Sequence, residues 1–269
     1  MKKPLDIARS VCDSAKTKAA WSVPQMMVLG GLAGAYVAFG GWAMTVTTFD
    51  LASVGVAKVI GGSVFSIGLI LVVLAGAELF TGNCVMPLAV MAGRLPMRDV
   101  LRNWFWVYLA NLLGAVLVAV LVYNTGLWRG DIGVKALAIA AGKMGLSWWE
   151  AFFRGILCNW IVVLAVWLSM SSETVIGKIW AIYFPIMVFV ASGFEHSIAN
   201  MYFMAMGLLL KGDPSVVAAA ALPAGDLGAV SLWGYFNNLI PVTAGNIVGG
   251  ALFVAVLYFS VFKSNLVSR

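Results

Sequence analysis

The sequence predicts an all-α membrane protein with six transmembrane helices arranged as an inverted 3+3 repeat, helices two and five broken. Three observations predict it. Of 269 residues, 62% are hydrophobic and only 10% charged, at a mean hydropathy of +0.97. A soluble domain carries about 25% charged residues, so lipid must be the solvent here. Six segments reach the roughly 20 apolar residues that a bilayer requires, at about 26–48, 59–93, 104–123, 151–170, 179–210 and 232–262. Finally, one polar frame, Gly-x-Glu-x4-Asn, interrupts both the second and the fifth of these segments.

The chain opens on "MKKPLDIARSVCDSAKTKAA", which has no apolar signal-peptide core. Leu5, Ala8, Cys12, Ala15 and Ala19 recur at helical spacing, and Lys2, Lys3, Arg9, Lys16 and Lys18 lie largely off that stripe. Residues 1–22 are therefore expected to form an amphipathic helix in the membrane interface, ahead of a single six-span domain over 23–269.

The second and fifth segments are too long for one crossing. As continuous helices they would reach about 50 Å and 48 Å, against a hydrocarbon layer of about 30 Å. Their polar interruptions, "GAELFTGN" (76–83) and "GFEHSIAN" (193–200), place a break in each. Gly76, Glu78 and Asn83 align with Gly193, Glu195 and Asn200. The third and sixth segments align as well, "ANLLGAVLVAVLVY" over "GNIVGGALFVAVLY", pairing Asn111 with Asn246. The first and fourth match more weakly. The repeats are expected at about 26–123 and 151–262. Three spans per repeat force opposite orientations, and such folds carry a substrate path between the repeats. Gly30 with Gly34 and Gly245 with Gly249 have the spacing of tight helix contacts.

The formal net charge of +6 could suggest nucleic acid, but its distribution argues against it. With both termini on one side, that side holds 11 of the 17 lysines and arginines. The excess reads as a topology signal with both termini cytoplasmic, and as attraction to anionic lipid. Cys12, Cys84 and Cys158 are scattered and give neither a disulfide framework nor a metal spacing. Cys84 and Cys158 read as small packing residues. No cofactor or metal is expected.

A break exposes backbone N–H groups, and irregular backbone at this depth must be buried in protein or line a cavity. Glu78 and Glu195 are expected to receive those N–H groups, with Asn83 and Asn200 supporting the loops. His196, the only histidine, stands at one break. Intramembrane ionisable residues mark function, and an imidazole can donate to a passing anion or hand over a proton. Thr81 is its expected opposite number. Phe65, Leu69, Leu79, Phe80 and Phe189 are candidate hydrophobic constrictions. Lys143, ahead of the fourth span, reads equally as a solvated loop lysine or as a cation that draws anions to the mouth.

With "AGAELFTGN", "EAFFRGILCNW", "ASGFEHSIANMYF" and "NNLIPVTAGNIVGG", the chain resembles the formate–nitrite transporter family over about residues 5–262. The resemblance implies an aquaporin-like protomer, a homopentamer with one pore per protomer, and a place in the inner membrane. It also implies that His196 is the central histidine and Thr81 the threonine of the loop in the second span. Lys143 becomes the vestibule lysine, Asn159 and Asn246 pore-lining asparagines, and the five bulky apolar residues the constrictions. The implied substrate is a small monovalent weak-acid anion. A bare anion would be severely desolvated at the constrictions, so it should cross protonated. Formate ranks first, then hydrosulfide, with nitrite third. Two other classes compete. An enzyme lacks a nucleophile–base or metal constellation, and an aquaporin-type neutral-solute channel lacks the Asn-Pro-Ala motif at either break.

Overall fold

A computed structural model describes residues 1–267. The helices are α1 (Pro4–Ala20), α2 (Val23–Thr48), α3 (Val54–Ala75), α4 (Phe80–Met91), α5 (Met97–Thr125), α6 (Asp131–Met144), α7 (Trp148–Ser171), α8 (Val175–Ala191), α9 (Ser197–Leu210), α10 (Pro214–Ala220), α11 (Ala224–Ala229) and α12 (Leu232–Leu266). No strand occurs among the described residues. Helices α2, α3, α5, α7 and α12 are each long and apolar enough to cross a bilayer. The share of the fifth expected span falls to α8, of 17 residues, and α9, of 14.

The apolar periodicity of these helices points outward. On α5, Phe105, Leu113, Leu117 and Leu121 are exposed, whereas Ala110, Asn111, Gly114 and Ala115 are buried. Small and polar residues thus form the interior, as expected where lipid cannot drive helices together and close packing must. The same local signals start the paired helices: Ser22 with Gln25 and Ser147 with Glu150 form capping boxes on α2 and α7.

The glycine spacing does what it predicts. A Cβ on Gly34 would collide with the Asn111 carbonyl oxygen, and one on Gly114 with that of Gly31. Across α7 and α12, a Cβ on Gly245 would strike the Phe152 carbonyl oxygen. Backbone meets backbone at all three, so no side chain can yield. Gly114→Ala is expected to destabilise the fold by about 2 kcal/mol or more, whereas Gly31→Ala, with open space around its Cβ, should be neutral. Thermal unfolding in detergent compares them, and equal midpoints would refute the close-packing account.

Residues 131–144, between the third and fourth expected spans, form α6. The apolar face of α1 includes Ile7 and Val11 besides Ala8, Cys12 and Ala15, and these are buried against the rest of the chain. Helix α3 stops at Ala75, and Gly76 (φ 80) turns the chain into a short extended run before α4 starts at Phe80. Helix α8 stops at Ala191, Gly193 has φ 74, and α9 starts at Ser197. Only glycine takes this left-handed backbone without steric cost.

Candidate functional site

Each interruption is pinned by one asparagine. Asn111 Oδ1 accepts the Phe80 N–H (3.0 Å), and its Nδ2 donates to the carbonyls of Glu78 (2.9 Å) and Gly30 (2.8 Å). Asn246 repeats this: Oδ1 accepts the Ser197 N–H (2.9 Å), and Nδ2 donates to the carbonyls of Glu195 (3.0 Å) and Gly155 (2.8 Å). The backbone groups freed by the interruptions are therefore met by these amides. This corrects the expectation that Glu78 and Glu195 would receive them. The side-chain amide carries both donor and acceptor and so serves an N–H and two carbonyls at once, which a carboxylate cannot.

The two carboxylates belong instead to closed polar rings. Glu78 accepts from Lys18 (2.7 Å) and from Asn83 (2.8 Å); Asn83 also donates to Asn103 (2.8 Å), which donates back to the Lys18 carbonyl (3.3 Å). Glu195 accepts from Lys143 (2.9 Å) and Asn200; Asn200 donates to Asn238 (2.8 Å), which donates back to the Lys143 carbonyl (2.8 Å). Glu78 is 5% exposed and Glu195 4%, a burial that a carboxylate tolerates only when paired and fully hydrogen-bonded. The rings differ in one bond. Lys18 also reaches Asn83 Oδ1 (2.9 Å), whereas the buried Asn200 Oδ1 has no partner among the described residues.

Lys18, Asn103, Asn111 and Asn238 are site residues that the sequence reading misses. A signal for them is present. Lys18 and Lys143 each precede their glycine, Gly30 or Gly155, by twelve residues, and their capping serine by four. Asn103 and Asn238 each stand eight residues before the pinning asparagine. Lys143 is the ring cation and no loop lysine; its ammonium also lies 5.4 Å from the centre of the Phe203 ring.

His196 and Thr81 meet between the rings, with Nε2 2.8 Å from Oγ1. His196 also caps α9, its Nδ1 accepting the Ala199 N–H (3.1 Å). An acceptor Nδ1 assigns the proton of the neutral ring to Nε2. The imidazole therefore donates to Thr81, and its N–H faces across the gap between the two helix starts. Asn159 Nδ2 donates to the carbonyls of Thr81 (3.1 Å) and Asn246 (2.7 Å), tying the two sides together.

His196 lines one of two cavities; the other reaches the residues on either side of the buried Thr81, at Leu79 and Gly82, and Thr81 itself lines neither. One, of about 360 Å³, is lined by Lys18, Glu78, Leu69 and Leu79 among others. The other, of about 110 Å³, is lined by Lys143, Glu195, His196, Phe65 and Phe189. Phe189 lies 5.9 Å from His196 between ring centres, and Phe65 sets its edge against Phe189. Phe80, Asn159 and Asn246 line neither cavity. Phe80 packs on Tyr108 and Trp104, and the asparagines serve backbone groups.

Comparison with known proteins identifies a family and a fold. A family model described as formate/nitrite transporter matches residues 5–260. A probable formate transporter of Methanothermobacter thermautotrophicus is 44% identical over 281 residues, covering 96% of each chain. The formate channel FocA of Escherichia coli K12 is 38% identical over 214 residues, covering 77% of this chain and 75% of that one. Among solved structures, a pentameric formate channel with formate bound superposes with a TM-score of 0.80 at 33% identity, covering 90% of this chain and 98% of that one. An FNT family ion channel gives 0.84 at 31%, covering 95% and 98%.

Proposed function

The chain belongs to the formate/nitrite transporter family, and from that premise we propose that it is a channel for formate, crossing the narrow centre as the neutral acid. The observation that carries this reading is His196, bonded to Thr81 and lining one cavity, while a second cavity reaches Leu79 and Gly82 beside Thr81, each cavity holding one lysine of a buried ring. The matched rings and pinning asparagines support an inverted 3+3 repeat with an aquaporin-like path, in which α3–α4 and α8–α9 are the two broken spans. Likeness to a solved pentameric formate channel and the broad apolar faces of α5 and α7 support five protomers, each with its own pore. The basic excess on the α1 side supports an inner-membrane protein with both termini cytoplasmic, and α1 then lies along the interface with its apolar face on the protein.

The chemistry follows from charge and dielectric. Lysines attract the anion into either cavity, but their own carboxylates leave little net field to carry it further. Stripping water from a carboxylate among Phe65, Phe189, Leu69 and Leu79 disfavours the charged form, so protonation accompanies passage. The proton comes from cavity water. Neutral His196 has no proton to give except the one on Nε2, and it could take a second only at Nδ1, by releasing the Ala199 N–H. Its role is to donate through Nε2 to the substrate oxygen that displaces Thr81.

Uptake into proteoliposomes tests this. A carboxylic acid ionises near pH 4, so between pH 7 and pH 5 its neutral fraction rises about tenfold per unit. Formate flux at fixed total concentration should rise by about that factor. Nitrate, a strong-acid anion of similar size, should not be carried at any pH, and flux of nitrate equal to formate would end the neutral-passage reading. Parallel runs with nitrite and hydrosulfide rank the substrates. Osmotic swelling without formate flux would favour a neutral-solute channel instead.

A further inference from the structure

The two cavities differ in charge. Lys143 and Glu195 compensate each other in the smaller one. The larger one holds the Lys18–Glu78 pair and a second lysine, Lys178, so it carries one uncompensated positive charge. Lys178 is half-buried, four residues into α8, and makes no ion pair among the described residues. Neighbouring Glu173 is exposed and unbonded to it. The start of α8 adds the partial positive charge of a helix N-terminus at the same mouth. A lysine that served only to anchor the helix would lay its ammonium among lipid headgroups; this one lines the same cavity as Lys18.

We infer that Lys178 is a second anion-capturing residue, confined to the Lys18 cavity, and that it makes this cavity the one a monocarboxylate occupies at lower concentration. The inference rests on the formate-conduction reading. Lys18 is held by two protein acceptors, Glu78 and Asn83. Lys178 has all three donors free among the described residues and is the residue that greets the anion. One unit charge acting across a partly aqueous cavity changes occupancy by about two- to fivefold, and salt screens it.

The test uses full-length protein reconstituted in one orientation, with equal pH on both faces and initial formate flux read against concentration. Wild type should half-saturate at a lower concentration from the α1 face than from the opposite face, and added salt should shrink the difference. Lys178→Gln should raise half-saturation about two- to fivefold on the α1 face and leave the other unchanged; Lys178→Arg should behave as wild type. Low-concentration permeability must stay equal in the two directions, as passive flow requires, and an unfolding midpoint equal to wild type shows that the variant is folded. An unchanged α1-face value in Lys178→Gln, or equal shifts on both faces, overturns the inference. A wild-type protein with no saturable formate flux from either face overturns the conduction reading itself.

Discussion

Asn246→Leu is expected to cost about 2–6 kcal/mol of stability. One side chain satisfies three buried backbone groups, the Ser197 N–H and the carbonyls of Glu195 and Gly155. The Gly155 carbonyl keeps its helical partner inside α7, so leucine orphans two groups, the Ser197 N–H and the Glu195 carbonyl, each at about 1–3 kcal/mol. No water is at hand, because Asn246 is fully buried and lines neither cavity. The thermal midpoint in detergent should drop by about 4 °C or more. Asn111→Leu, with the same three bonds on the other side, should match it. A drop of less than about 2 °C in both would mean that the interruptions are held by something other than these amides.

His196→Asn is expected to fold normally and to conduct poorly. Asparagine is among the best N-cap residues, so α9 stays capped, but the shorter side chain cannot reach the place of Nε2. The substrate then loses one hydrogen bond to a charged or partly charged oxygen, worth about 1.5–3 kcal/mol, which is a fall of about 10- to 100-fold in flux. The slope of flux against pH should stay that of wild type, because the proton is drawn from cavity water. If the flux persists and its pH dependence flattens, the histidine is the proton source and the donor role assigned to it fails. The unfolding midpoint of the same sample separates a folding defect from a conduction defect.

What the sequence reveals and what it hides have separate physical causes. Hydropathy marks α2, α5, α7 and α12 because lipid selects for apolar length. The interruptions at 76–79 and 192–196 are legible because a glycine and a glutamate in an apolar run have no other use. Helix α6 is hidden because its fourteen residues mix Ala and Gly with charge, and its partners, α9 and α10, are distant in sequence. Lys18 is legible only by its place on α1, yet its partner Glu78 is 60 residues away. The glutamates point to the wrong groups for a similar reason: the amide that serves Phe80 comes from 31 residues downstream, and nothing local announces it. Bulk and neighbours make Phe80 a candidate constriction, and its packing on Trp104 and Tyr108, from residues more than twenty positions downstream, is not legible locally.

Every member of the first ring, Lys18, Glu78, Asn83 and Asn103, precedes every member of the second, Lys143, Glu195, Asn200 and Asn238. The pinning asparagine of each ring lies on the same side of that divide. During synthesis the first glutamate can therefore find its lysine and its amides once the third long helix has emerged, before any of the second set exists. Neither half has to expose an unpaired carboxylate to lipid while it waits for the other, and insertion machinery meets two self-contained polar cores in succession. What is left for assembly is the docking of one half on the other, and the bonds of Thr81 with His196 and Asn159 form only then, together with the packing of Phe65 on Phe189.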